Sequence, residues 1–183
     1  QVPMSLKLRI IGLSMGMAVA LAAGVTQFEG NKAIPYRDIG GVWTACVGDT
    51  HEIDPTHTYT PQECQARLVD QLQAHNDGLL KCMPSLADAP EPVHAAVLDL
   101  GYNVGVGAVC KSSIVTKVQA KRYDAACATI TEFRYAAGRD CSVRANGCYG
   151  VWRRRQWARA LCDGQLTEQQ IAMGFSGYLE ASQ

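Results

Sequence analysis

The chain has 183 residues, 17 Lys+Arg against 17 Asp+Glu, and 48% apolar residues. That length supports a sizeable core in about one domain. The zero net charge excludes a nucleic-acid binder working through bulk positive charge, and it excludes a disordered polyelectrolyte.

The first segment is the most unusual. Residues 10–28 are nineteen in a row without a charge, and they follow Lys7 and Arg9. Beyond residue 27 the chain keeps 15 basic and 17 acidic residues, so a small basic head precedes a mildly acidic body. Met4 is the expected natural start, with residues 1–3 an added remnant. As a helix the uncharged run would rise about 28 Å, close to the hydrocarbon thickness of a bilayer. Its apolarity is weak, because eight of the nineteen are Gly, Ala or Ser and only seven are Ile, Leu, Val or Phe. Three readings stand on composition: a cleavable signal peptide with Ala20 and Ala22 flanking the cleavage point, a membrane anchor, or a buried helix packed closely through Gly12, Gly16 and Ala20.

Residues 33–60 are rich in Gly, Thr, Tyr, Asp and Pro and read as short hairpins and loops. Thr60, Pro61 and Glu63 then spell a helix start with a capping box, and a helix is expected to Cys82 with Ala66, Val69, Leu72 and Leu79 inward. Pro84, Pro90 and Pro92 punctuate a connection. Further helices are expected near 92–102, 112–120, 122–134, 149–162 and 167–174. A small early sheet followed by helices predicts an α+β fold in two lobes.

Cys46, Cys64, Cys82, Cys110, Cys127, Cys141, Cys148 and Cys162 all lie beyond the uncharged run. An even number on one side of a possible export segment reads as four disulfides in an oxidising compartment. Eight cysteines allow 105 pairings, and the one local expectation is Cys141 with Cys148 across a turn-rich stretch. No Cys-x-x-Cys occurs and His51, His57, His75 and His94 show no ligand spacing, so no metal or cofactor is expected.

The candidate chemistry begins at Glu29, which closes the first helix, with Asp38 on a glycine-rich hairpin and Thr44 beyond it. Glycoside hydrolysis needs one protonated carboxyl to serve the leaving oxygen and one ionised carboxylate to activate water or support the cation. A glutamate at the end of an apolar helix is expected to be desolvated, and an aspartate on a hairpin to stay wet. Other features invite bland readings. Arg153-Arg154-Arg155 reads as a solvated, salt-bridged helix face rather than a phosphate or nucleic-acid site. Residues 105–110 lack the third glycine of a dinucleotide loop, and residues 174–177 lack a serine-hydrolase elbow. Trp43, Trp152 and Trp157 read as packing residues.

The run Glu29-Gly30, then Pro35-Tyr36-Arg37-Asp38-Ile39-Gly40-Gly41-Val42-Trp43-Thr44-Ala45-Cys46-Val47-Gly48-Asp49-Thr50, resembles the active-site signature of phage-type lysozymes. Gly101-Tyr102-Asn103-Val104-Gly105 resembles the end of that family's cleft helix, and residues 151–162 its Arg-rich penultimate helix. The uncharged segment directly before Glu29 resembles that of a signal-arrest-release endolysin. The resemblance implies a lysozyme-like fold, a small hairpin lobe with a larger helical lobe, divided as a release segment at 1–28 and a catalytic domain at 29–183. It implies a muramidase, a lysozyme-type glycoside hydrolase that cuts the β-1,4 bond between N-acetylmuramic acid and N-acetylglucosamine for host lysis. Glu29 would be the general acid, Asp38 with Thr44 would position water, and Tyr102 and Asn103 would line the saccharide cleft.

The partners implied are peptidoglycan and, transiently through residues 10–28, the inner membrane, with no nucleic acid and a monomeric enzyme. The protein would be exported, tethered facing the periplasm and then released. Since no cysteine precedes Cys46, activation would need no thiol exchange from the segment. Two alternatives are a lytic transglycosylase and a non-catalytic wall-binding protein; the presence of Asp38 and Thr44 favours hydrolysis.

Overall fold

A computed structural model describes residues 9–183, and the expectations placed on Met4 and Lys7 lie outside that range. The first helix, α1, spans Met15–Glu29. Ser14 caps it by accepting the Met17 N–H, and Gly30, at φ 78°, ends it by donating its own N–H to the Thr26 carbonyl. One face of the uncharged run sits in the main core: Ile10, Ala18, Leu21, Ala22 and Val25 are fully buried among the helices that follow, while Ile11 and Met15 are exposed. No helix among the described residues is long and apolar enough to cross a membrane.

Close packing explains the small residues. A Cβ on Gly24 would stand 2.4 Å from the Ile171 carbonyl oxygen and 2.6 Å from Trp157 Cζ2. Trp157 is fully buried, and its ring lies 5.0 Å from that of Phe28. The stretch leading into α1 is fixed by polar contacts. Ile11 N–H donates to Gln73 Oε1 at 2.9 Å, and its carbonyl accepts from Asn76 Nδ2 at 2.9 Å. Asn76 Oδ1 meets His94 Nε2 at 2.6 Å, and Ser14 N–H donates to Glu91 Oε1 at 2.6 Å.

An antiparallel hairpin follows, β1 (Lys32–Arg37) and β2 (Trp43–Cys46), with Tyr36 opposite Thr44 and Arg37 opposite Trp43. Its register is irregular between Lys32 and Tyr36, where Pro35 brings no N–H to the ladder. The hairpin is tied to α2 (Pro61–Cys82) twice, by the Cys46–Cys64 disulfide and by Arg67 Nη1 on the buried Asp49 at 2.8 Å. The capping box at Thr60 and Glu63 is present as expected. Leu68, Val69, Leu72 and Leu79 carry the buried face of α2, whereas Ala66 is half-buried.

A 3₁₀ turn at Pro84–Asp88 leads to α3 (Glu91–Val104), whose residues 93–101 are all buried. Then come α4 (Val106–Cys110), α5 (Ile114–Gln119), α6 (Tyr123–Ile130) and a minimal hairpin of β3 (Tyr135–Ala136) with β4 (Arg139–Asp140). The chain closes with α7 (Tyr149–Cys162), α8 (Glu168–Ala172) and α9 (Phe175–Ala181). Three of these elements were not expected: α4, the β3–β4 hairpin, which lies just beyond the helix expected at 122–134 (observed to end at Ile130), and α9. The cysteines pair as 46–64, 82–110, 127–162 and 141–148, the last as expected from its local spacing. The α+β, two-lobed, lysozyme-like architecture stands, with α1 laid against α8, α2 and α3.

Candidate active site

Glu29 is the last residue of α1, placed there by the Gly30 stop that turns the chain into β1. Its side chain is 35% exposed and lines a cavity of about 430 Å³. It is therefore less enclosed by apolar surface than the sequence suggests, because the helix ends at the cavity mouth.

What holds Glu29 is an arginine. Arg154 Nη1 donates to Glu29 Oε1, while Arg154 Nη2 and Nε donate to Asp99 Oδ1 at 2.8 and 3.2 Å. Asp99 is fully buried and the Arg154 side chain is 5% exposed. Burial by itself would lower the basicity of Arg154; the charge and hydrogen bonds of Asp99, then of Glu29, outweigh it and raise it above the ordinary value. Glu29 Oε2 receives no hydrogen bond from the described residues.

Arg155 is also buried, with Nε donating to the Phe133 carbonyl at 2.8 Å and Nη2 to Asn103 Oδ1 at 2.5 Å. Among the described residues it has no carboxylate in hydrogen-bond reach, and burial pulls its pKa down to about 10. The expectation of a solvated arginine face is thus corrected: two of the three guanidiniums are internal, and Arg153 alone is exposed. Asp99 and Arg154 carry the arrangement and the motif reading missed both. One available signal was the acid itself, a lone aspartate inside the apolar run of residues 93–100.

Asp38 stands exposed at the β1–β2 turn, its Oδ1 accepting the Val42 N–H at 2.8 Å and its N–H donating to the Val42 carbonyl at 3.0 Å. Asp38 Oδ2 accepts no hydrogen bond from the described residues. Thr44 is 3% exposed, and its hydroxyl donates to the Val42 carbonyl at 3.1 Å. Neither residue lines the cavity beside Glu29, which is walled by α1, α3, α7 and residues 173–176; both lie on the hairpin that follows Glu29 directly.

Of the two expected cleft residues, Asn103 lines the cavity. Tyr102 is half-buried and ties the lobes, with its hydroxyl 3.1 Å from Gln71 Oε1 and 3.4 Å from the Val47 carbonyl. Burial, then the Glu29 charge, pushes its pKa up to about 12, so it remains a neutral donor. Among the described residues no group of three or more His, Cys, Asp or Glu could hold a metal ion.

Comparison with known proteins agrees with this architecture. A SAR-endolysin of Enterobacteria phage P21 is 32% identical over 168 residues, 87% of this chain and 96% of its own. A SAR-endolysin of Escherichia phage 933W is 33% identical over 172 residues, 86% of this chain and 96% of its own. The crystal structure of the active form of the P1 phage endolysin superposes with a TM-score of 0.64 at 20% identity, covering 83% of this chain and 85% of that one. The family model described as phage lysozyme matches residues 26–158, which take in the end of α1, the hairpin and most of α7, and the chain belongs to that family.

Proposed function

We propose that the protein is a muramidase hydrolysing the β-1,4 bond between N-acetylmuramic acid and N-acetylglucosamine in peptidoglycan, with Glu29 as general acid and Asp38 and Thr44 positioning the water. The observation that carries this is the one-sided hold on Glu29, which lines the cavity: Arg154 grips Oε1, and Oε2 accepts no hydrogen bond from the described residues. A carboxyl oriented through one oxygen can deliver a proton from the other to the glycosidic oxygen as the C1–O bond breaks. Water attacks C1 from the opposite face and gives its proton to Asp38, whose Oδ2 accepts no hydrogen bond from the described residues. Attack from that face inverts the anomeric centre and requires the two carboxyl groups about 6.5–9.5 Å apart. The product distinguishes this from transglycosylation: hydrolysis leaves muramic reducing ends that carry the added water, and an anhydro end in their place would contradict it.

Residues 10–28 act first as a temporary membrane anchor and then as α1, so that the protein is exported, held at the periplasmic face of the host inner membrane, and activated on release. The small residues support this double use. Ala18, Ala20, Ala22 and Gly24 make insertion weak and are the same residues buried when α1 docks. While the segment spans a bilayer Glu29 is kept from Arg154, which the buried Asp99 holds in place. All eight cysteines are paired with each other, so release needs no thiol from the segment. Replacing Gly16 and Ala20 together by leucine is expected to keep the protein in the membrane fraction and delay lysis.

A further inference from the structure

The cavity beside Glu29 contains a charge the catalytic arrangement leaves unused. Arg154 is committed to Glu29 and Asp99. Arg153 lines the same cavity, is exposed, and forms no ion pair among the described residues, where every carboxylate within 4 Å of an arginine belongs to another partner. Its guanidinium lies 5.4 Å from the ring centroids of both Tyr149 and Phe175. Two aromatic faces hold the group at the rim and reduce the rotamer freedom lost on binding. The rest of the lining divides cleanly. Phe28, Val151 and Met173 give an apolar wall; Gln27, Asn103 and Ser176 give neutral hydrogen-bonding groups.

We propose that this cavity takes the peptide arm of the muramyl sugar and that Arg153 binds a carboxylate on that arm, making it a specificity-determining residue; this rests on the muramidase reading above. A β-1,4-linked N-acetylhexosamine chain offers a guanidinium neutral acceptors but no charge to pair with. The peptide arm offers what the lining asks for, short alkyl groups and free carboxylates on one flexible chain. A volume of about 430 Å³ is within the range that holds a small ligand. Four parts of the chain each give a wall, α1 among them, so the cavity is complete only when α1 is docked.

The test is steady-state cleavage of soluble peptide-bearing glycan strands, with their carboxylates either free or converted to amides, by the full chain and by Arg153→Ala and Arg153→Lys. The full chain is expected to show a KM for the free-carboxylate strands about tenfold lower than for the amidated ones, as fits one charge-assisted hydrogen bond. Arg153→Ala should raise the first KM to the second with kcat unchanged, and Arg153→Lys should recover part of the difference. Cleavage of both strands with equal KM by the full chain, or an undiminished ratio in Arg153→Ala, overturns the role of Arg153 while leaving the muramidase reading intact. No cleavage of either substrate takes down both.

Discussion

Arg154 and Asp99, 55 residues apart in sequence, form a buried pair in which Nη2 and Nε donate to Oδ1 at 2.8 and 3.2 Å, and Nη1 reaches Glu29. The pair makes Arg154 a fixed point in the core, against which the end of α1 is registered. Glu29 is therefore positioned by a charge that the fold would have to neutralise in any case.

Asp99→Ala should be far more destabilising than Glu29→Gln. Removing one partner of a buried ion pair leaves an uncompensated charge and costs about 3–5 kcal/mol, whereas the Glu29 contact is open to solvent on one side and costs about 1 kcal/mol or less. Urea unfolding of the two variants at neutral pH gives the comparison. Equal losses would mean that Asp99 does not bear the Arg154 charge.

Gly24→Ala should lower thermal stability even though alanine favours a helix by about 1 kcal/mol over glycine. The added methyl meets a backbone oxygen and the Trp157 ring, neither of which moves cheaply, and overpacking of this kind costs about 1–3 kcal/mol. A lower Tm for Gly24→Ala is the expected result, and a higher one would contradict the close docking of α1 on α8.

His94 sets an acid limit. It is fully buried against Asn76, and burial, partly opposed by Glu91, pulls its pKa from 6.5 down to about 4. The unfolded chain takes up this proton below about pH 6.5 and the folded chain only near pH 4. Stability present above pH 6.5 is therefore lost as pH falls through that window, by up to about 3 kcal/mol. Unfolding free energies at pH 7 and pH 4.5 should differ less in His94→Gln than in the parent chain. An identical pH dependence in both would assign the acid loss elsewhere.

Removing the Cys46–Cys64 disulfide with a double alanine variant should cost about 3 kcal/mol by loop entropy and reduce activity beyond what stability explains, because it frees the end of the strand that carries Thr44. Activity at a temperature where both proteins are fully folded separates the two effects. Unchanged turnover there would show that Asp49–Arg67 alone holds the hairpin.

The parts of the fold that were legible in the sequence depend on neighbours in the chain. The Thr60–Glu63 capping box, the β1–β2 hairpin and the Cys141–Cys148 link are each written within a few residues. What was not legible depends on contacts between distant segments. The sequence Arg153-Arg154-Arg155 reads as a surface run until Asp99 and Asn103 are brought beneath it from α3. The short α4 and α9 lack enough turns to show a period, and the β3–β4 hairpin has only two residues per strand. Residues 10–28 could be read three ways because small residues serve a weak membrane span and a close helix contact equally well.

The most direct test of the catalytic reading is digestion of purified peptidoglycan by the released full-length chain and by Glu29→Gln, with mass analysis of the products and circular dichroism of both proteins. The parent should yield hydrated muramic reducing ends, and Glu29→Gln should keep its fold and lose about two to four orders of magnitude in rate. Undiminished degradation by a folded Glu29→Gln would contradict the assignment of Glu29 as the general acid.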